Sequence, residues 1–97
     1  MDEGIVARRY VITGRVQGVG YRNFVEHTAG KLSVDGYVRN RRDGSVEIFA
    51  MGAPEELLKL RSALERGPMM AQVARIYEEQ SVVEEKYAGT FTVEFTE

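Results

Sequence analysis

The chain has 97 residues, enough for one domain with one hydrophobic core, and 43% of them are hydrophobic, an ordinary globular fraction. It contains no cysteine, which excludes disulfides, thiolate nucleophiles and cysteine-based metal sites. The formal net charge of −2 argues against a nucleic-acid binder, which usually presents a broad basic face. We therefore expect residues 1–97 to form a single globular domain.

The first half of the chain predicts a strand, a loop, a helix and a β-hairpin. Residues 5–13 are rich in β-branched and aromatic residues, which favours a strand. Apolar residues then recur at helical spacing over residues 21–31, which indicates an amphipathic helix. Residues 34–40 and 45–51 are predicted strands, and the Asp43-Gly44 pair between them is typical of a tight hairpin turn.

The second half predicts a helix followed by two strands. Pro54 suits the first turn of a helix, Gly67-Pro68 ends it, and its apolar face carries Leu57, Leu60 and Leu64. Residues 71–81 favour a fourth strand. The alternation of Phe91, Val93 and Phe95 with polar residues predicts a last, half-buried strand. The order predicts an α+β fold, the ferredoxin-like β-α-β-β-α-β sandwich, with an antiparallel sheet, two helices on one face and a short extra strand.

No targeting or membrane segment is evident. Met1-Asp2-Glu3-Gly4 lacks the basic stretch and apolar run of a signal peptide, and no apolar run is long enough to span a bilayer. The only histidine, His27, falls inside the first helix, and one histidine cannot make a metal site. We expect a cytoplasmic location, a monomer, no membrane or nucleic-acid partner, and no metal or cofactor.

The segment of residues 14–22, GRVQGVGYR, joins the first strand to the first helix. Backbone N–H groups at a helix N-terminus, together with the helix dipole, can bind an anion, and Gly18 and Gly20 would let those groups converge. Arg22, in the first turn, could grip two phosphate oxygens with its planar guanidinium. A tight turn with glycines for packing and a surface arginine explains the same composition, so both interpretations stay open.

Asn40 ends the second strand, just before the hairpin turn. An asparagine at such a position usually satisfies local backbone groups. Its amide could instead hold a water molecule through oxygen and nitrogen together. The position alone does not decide between these two roles.

Two motifs in this order and spacing resemble the acylphosphatase family. Residues 14–22 resemble its first signature, and residues 36–40, GYVRN, followed by Gly44-Ser45-Val46 and Gly52, resemble its second. The resemblance covers nearly the whole chain. The sequence departs from the family's usual pattern at Gly30 and at residues 32–34, LSV, where a Leu-Gly-Leu run is frequent.

The resemblance implies metal-independent hydrolysis of the carboxyl–phosphate bond of an acyl phosphate, without a phosphoenzyme, releasing a carboxylate and inorganic phosphate. It implies that Arg22 is the essential substrate-binding arginine and that Asn40 orients the attacking water. It also implies a phosphate cradle formed by Gln17, Gly18, Val19, Gly20, Tyr21 and Arg22.

A second hypothesis is a ferredoxin-like binding module without catalysis, for RNA or a small anionic ligand. RNA-binding domains of this shape present aromatic side chains on their central strands, and Tyr37 and Phe49 could serve so. The acidic balance and the glycine-rich loop argue against RNA.

Overall fold

The computed structural model describes residues 4–97, and the expectations for residues 1–3 lie outside this range. The elements are β1 (Val6–Arg15), α1 (Tyr21–Lys31), β2 (Asp35–Asn40), β3 (Val46–Gly52), α2 (Pro54–Arg66), β4 (Gln72–Ser81), a single 3-10 turn (Glu85–Tyr87) and β5 (Phe91–Glu94). The predicted β-α-β-β-α-β order with an extra strand is confirmed.

The strands form one mixed sheet with the order β4-β1-β3-β2-β5. The pairs β4–β1, β1–β3 and β3–β2 are antiparallel, as predicted, but β5 pairs with β2 in parallel. The chain reverses direction between β4 and β5, and it rejoins the sheet beside β2, which runs in that same direction. The four strands of the β-α-β-β-α-β unit are therefore antiparallel as predicted, and the short extra strand makes the sheet mixed at this one edge.

Both helices pack on one face of the sheet and bury the main core. Tyr21, Val25 and Ala29 of α1 are buried, and α2 buries Leu57, Leu60 and Leu64, the face predicted for it. They meet the residues of the central strands that point to the same side, including Tyr10, Ile12, Val38, Val46, Ile48 and Ala50. This packing fixes the start of α1 against the ends of β1 and β2.

Two local features differ from the expected pattern. β5 ends at Glu94, so Phe95 lies beyond the strand and is 96% exposed instead of half-buried. After α1, Ser33 adopts a φ of 55°, the left-handed region that glycine tolerates best. Ser33 stands within the LSV segment noted above as a departure from the pattern that the sequence resembles. In the part of the chain that the structure describes, neither helix has the length and apolar character needed to cross a bilayer.

Candidate active site at the start of α1

The residues singled out by the sequence come together at one end of the sheet. β1 and β2 both run toward this end, where Ile12 and Asn40 pair with Val46 of β3. The β1–α1 loop and the first turn of α1 help to enclose a cavity of about 180 Å³ here. Its lining residues are Val16, Gly18, Gly20, Tyr21, Arg22, Asn23, Asn40 and Val93.

The loop leaves the N-terminus of α1 open to the cavity. Gly18 and Gly20 have φ angles of 73° and 81°, which L side chains rarely adopt, and a Cβ atom on either would meet nothing within 4 Å. Among residues 4–97 no side chain caps α1, and its first intrahelical bond runs from Phe24 N–H to Gly20 O. The backbone N–H groups of residues 21–23 are therefore available for an anion, which the helix dipole also favours.

Arg22 supplies a positive charge that the rest of the described chain does not neutralise. Its guanidinium makes no ion pair or hydrogen bond with residues 4–97. Five other arginines, Arg8, Arg9, Arg39, Arg41 and Arg61, pair with glutamates. Within residues 4–97, Arg15, Arg42 and Arg75 also lack an ion pair, but they do not line this cavity. An unpaired guanidinium that lines a cavity at a helix N-terminus is suited to a phosphate group, whose oxygens match its planar fork.

Asn40 carries a buried acceptor that lacks a partner. Within residues 4–97, its Oδ1 is the only buried side-chain nitrogen or oxygen without a hydrogen bond. A buried carbonyl oxygen without a hydrogen bond lowers the free energy of unfolding by about 1–3 kcal/mol. A donor in the cavity, such as water, would remove this penalty for Asn40 Oδ1. The main-chain oxygen of Asn40 is already occupied, because Glu97 N–H donates to it at 3.1 Å.

Three residues of the predicted cradle direct their side chains elsewhere. Tyr21 Oη donates to Leu64 O at 2.8 Å inside the core, and burial raises the pKa of this phenol well above its ordinary value. Val19 packs against the core, and Gln17 Nε2 donates to two main-chain oxygens of the β2–β3 hairpin. Only the backbone of these three residues could contact a phosphate.

The open face of the sheet holds a charged cluster that the sequence reasoning missed. Glu47 is 2% exposed, and its carboxylate accepts hydrogen bonds from Arg9 Nε at 2.5 Å and Arg39 Nε at 2.6 Å. Burial alone would raise the pKa of Glu47, but the hydrogen bonds from Arg39 and Arg9 outweigh it, and the net pKa lies below the ordinary 4.5. Strand alternation could have revealed this cluster, because the three residues point to the same side once the register is known.

The same face bears on the RNA hypothesis. Phe49 is 2% exposed, because Tyr37 and Tyr87 lie against it with ring centroids 5.8 and 5.7 Å away. A buried ring cannot stack with a base, so Phe49 is not available as part of such an aromatic platform. Phe49 therefore belongs to a second small core with Ala7 and Met51, against which Tyr37 and Tyr87 pack.

Metal ligands do not cluster in the part of the chain that the structure describes: residues 4–97 bring no three His, Asp or Glu side chains together.

Comparison with known proteins places these observations in a family. The family model described as Acylphosphatase matches residues 8–93. A curated acylphosphatase from Koribacter versatilis is 44% identical over 96 residues, covering 99% of this chain and 86% of that protein. The solved acylphosphatase of Coxiella burnetii superposes with a TM-score of 0.89 at 32% identity, over 95% of both chains. The acylphosphatase of Bacillus subtilis superposes with a TM-score of 0.85 at 36% identity, covering 91% of this chain and 97% of that one.

The strand order, the two helices on one face and these structural neighbours define an α+β enzyme of ferredoxin-like topology. The match over residues 8–93 then settles the particular family: the chain belongs to the acylphosphatases.

Proposed function

We propose that the protein hydrolyses acyl phosphates without a metal ion, in the cavity at the N-terminus of α1. The backbone of residues 17–22 and the guanidinium of Arg22 hold the phosphoryl group, and Asn40 holds the water that attacks it. The observation that carries this proposal is the meeting of an unpaired arginine and an unpaired buried amide oxygen in one cavity.

The chemistry suits a site with so few catalytic groups. The bond that breaks joins phosphorus to a carboxylate oxygen, and the leaving carboxylate has a conjugate acid of pKa about 4, so it departs without being protonated. The protein has to fix the phosphoryl group, offset its charge and place a water in line with the leaving oxygen. A phosphate monoester would leave as an alkoxide and would need an acid or a metal ion.

Each step can be assigned to a group that the structure brings to the cavity. Arg22 and the N–H groups of residues 21–23 offset charge on the phosphate oxygens. The water donates one hydrogen bond to Asn40 Oδ1, which leaves a lone pair directed at phosphorus. As the new P–O bond forms, the carboxylate leaves with the electrons of the old one, and the proton of the water ends on the phosphate that is released.

A substrate panel tests this proposal. Benzoyl phosphate and acetyl phosphate should be hydrolysed, p-nitrophenyl phosphate should not, and EDTA should leave the rates unchanged. Loss of activity in EDTA with recovery on adding a divalent ion would contradict the metal-independent mechanism. Equal rates on p-nitrophenyl phosphate would contradict the leaving-group argument.

Inorganic phosphate provides a second test, of the location. As product it should inhibit competitively, more weakly at high salt, and its titration should shift the amide NMR signals of Gln17–Arg22 first. Shifts confined to Arg41 and Arg42 would place the anion at the hairpin instead. A single domain over residues 1–97, a monomeric state and a cytoplasmic location remain predictions from the sequence.

A further inference from the structure

Gln17 occupies an unusual position between the two halves of the site. Its side-chain Nε2 donates to Arg41 O and to Ser45 O, both at 2.8 Å. These partners lie 24 and 28 residues further along the chain, in the hairpin that follows Asn40. One carboxamide therefore joins the loop that leads to Arg22 with the strand end that carries the amide of Asn40.

The two acceptors are the atoms that close the hairpin. Arg41 N–H donates to Ser45 O at 2.9 Å, and Gly44 N–H donates to Arg41 O at 3.1 Å. Each of these carbonyls thus takes a second hydrogen bond from Gln17. Since the β2–β3 ladder ends at the pair Asn40–Val46, the bridge fastens the hairpin at the point where sheet pairing stops.

We infer that Gln17 is a positioning residue, which sets the distance between the phosphate cradle and Asn40 through its two hydrogen bonds to the hairpin. The inference rests on the proposed roles of Arg22 and Asn40. It assigns the Gln17 side chain no contact with substrate, which agrees with its absence from the lining of the cavity.

The physical reason lies in the geometry of in-line attack. The cradle fixes phosphorus from the α1 side, whereas Asn40 fixes the water from the sheet side. A misplacement of about 1 Å between two such groups can lower a rate by roughly a hundredfold. Binding of phosphate depends on the cradle alone, so loosening the bridge should affect turnover and spare affinity.

The decisive experiment is a double-mutant cycle with Gln17→Met and Asn40→Ala, assayed with benzoyl phosphate. Methionine keeps the length of the side chain and removes both hydrogen bonds. Gln17→Met should lower kcat roughly ten- to a hundredfold and leave the Kd for inorganic phosphate within about twofold. In the Asn40→Ala background the same change should have almost no further effect, because Gln17 acts only through Asn40.

A pH profile adds a readout that a purely structural role would not move. In Gln17→Glu the carboxylate faces two carbonyl oxygens and cannot donate, so its pKa should exceed the usual value of about 4.3. Protonation restores one hydrogen bond. The kcat of Gln17→Glu relative to wild type should therefore rise as the pH falls from 8 to 5.

Ala50→Gly serves as the stability control, since Ala50 is buried in β3, and glycine weakens a strand without touching the bridge. Its kcat should equal that of wild type. A Gln17→Met protein with wild-type kcat, or multiplicative losses in the double variant, would overturn the inference. Failure of the proposed function looks different: wild type would not hydrolyse benzoyl phosphate, or Asn40→Ala alone would keep full turnover.

Discussion

Arg22 belongs to the proposed phosphate cradle and Arg39 directly precedes Asn40, yet only the charge of Arg39 is neutralised by carboxylates within the described residues. Arg39 precedes Asn40 on the open face and is held by the buried carboxylate of Glu47 at 2.6 Å and by Glu97 at 3.6 Å. Arg22, on the helix-covered side, has no acidic partner within residues 4–97. An arginine that pairs with a carboxylate, such as Arg39, therefore stabilises the sheet. An arginine without such a partner, such as Arg22, remains available to bind a phosphate.

The largest effect is expected at Arg22. Arg22→Ala and Arg22→Lys should both lower kcat/KM about a hundred- to a thousandfold, because lysine keeps the charge and loses the two-pronged grip. The free energy of unfolding should change by less than about 0.5 kcal/mol, since no ion pair is lost. Steady-state kinetics and urea unfolding measure the two quantities.

Arg39→Gln is the matched variant for this comparison, and it should show the reverse pattern: a clear loss of stability with kcat/KM within a few-fold of wild type. An Arg22→Lys protein that kept most of its activity would mean that a point charge is sufficient.

Asn40 should show the next largest effect, confined to turnover. Asn40→Ala should lower kcat on the order of a hundredfold and leave phosphate affinity near wild type, because in the proposed mechanism the amide holds the water rather than the phosphate. Asn40→Asp should also fail, since a carboxylate would repel the anionic substrate. Kinetics, phosphate titration and the urea midpoint, all measured on the same variant, separate this role from a structural one. With a purely structural role, Asn40→Ala would stay active and its free energy of unfolding would fall by about 1 kcal/mol.

Glu47 tests the other half of the comparison, the stabilisation that the paired arginines of the open face provide. Glu47→Gln should cost about 2 kcal/mol at pH 7, less than a fully buried ion pair, because the arginine partners are about one-third exposed. Since the folded-state pKa of Glu47 is lowered, its stabilisation is complete above the unfolded pKa and is lost as the pH falls through the folded one. The stabilities of wild type and variant should thus converge below about pH 4, as urea unfolding from pH 7 to pH 2 would reveal. If the two free energies of unfolding differed by a constant amount over this pH range, ionisation of Glu47 would not be the source of the stabilisation.

The smallest effect concerns Ser33, which lies outside both regions. Ser33→Gly should raise the free energy of unfolding by about 0.5–1 kcal/mol, because glycine adopts the φ of 55° without a Cβ clash. Activity should stay unchanged. Thermal unfolding at a fixed pH measures the gain, and an unchanged or lower midpoint would show that the serine is not strained there.

The sequence predicted most of the fold because its signals were local. The glycines of the β1–α1 loop, the Asp43-Gly44 turn and the leucine face of α2 each specify their own element. The parallel edge at β5 is different, since it depends on which strand has a free edge after four others have assembled. The exposure of Phe95 has the same origin, because alternation predicts a face but not what covers it.

The candidate site likewise has one part that local motifs predict and another that depends on the assembled fold. Motifs name Arg22 and Asn40, and the fold brings both to one cavity. What the Gln17 side chain does could not be predicted, because its partners are two carbonyl oxygens in a distant hairpin, and every residue offers such an oxygen. The cluster of Glu47, Arg9 and Arg39 likewise depends on the pairing register of three strands.

The central place of β1 in the sheet has a consequence for the kinetics of folding. Arg9 meets Glu47 across 38 residues of chain and Glu79 across 70, so β1 gains its partners only after two long loops have closed. Closing such loops lowers the conformational entropy of the chain before the contacts that stabilise the sheet have formed. Sheets built from distant strands therefore fold slowly. The cavity is lined by the loop that follows β1, by Asn40 at the end of β2 and by Val93 of β5, so it exists only once that closure is complete. Catalytic competence should accordingly return with the rate constant of sheet formation, with no active species before it.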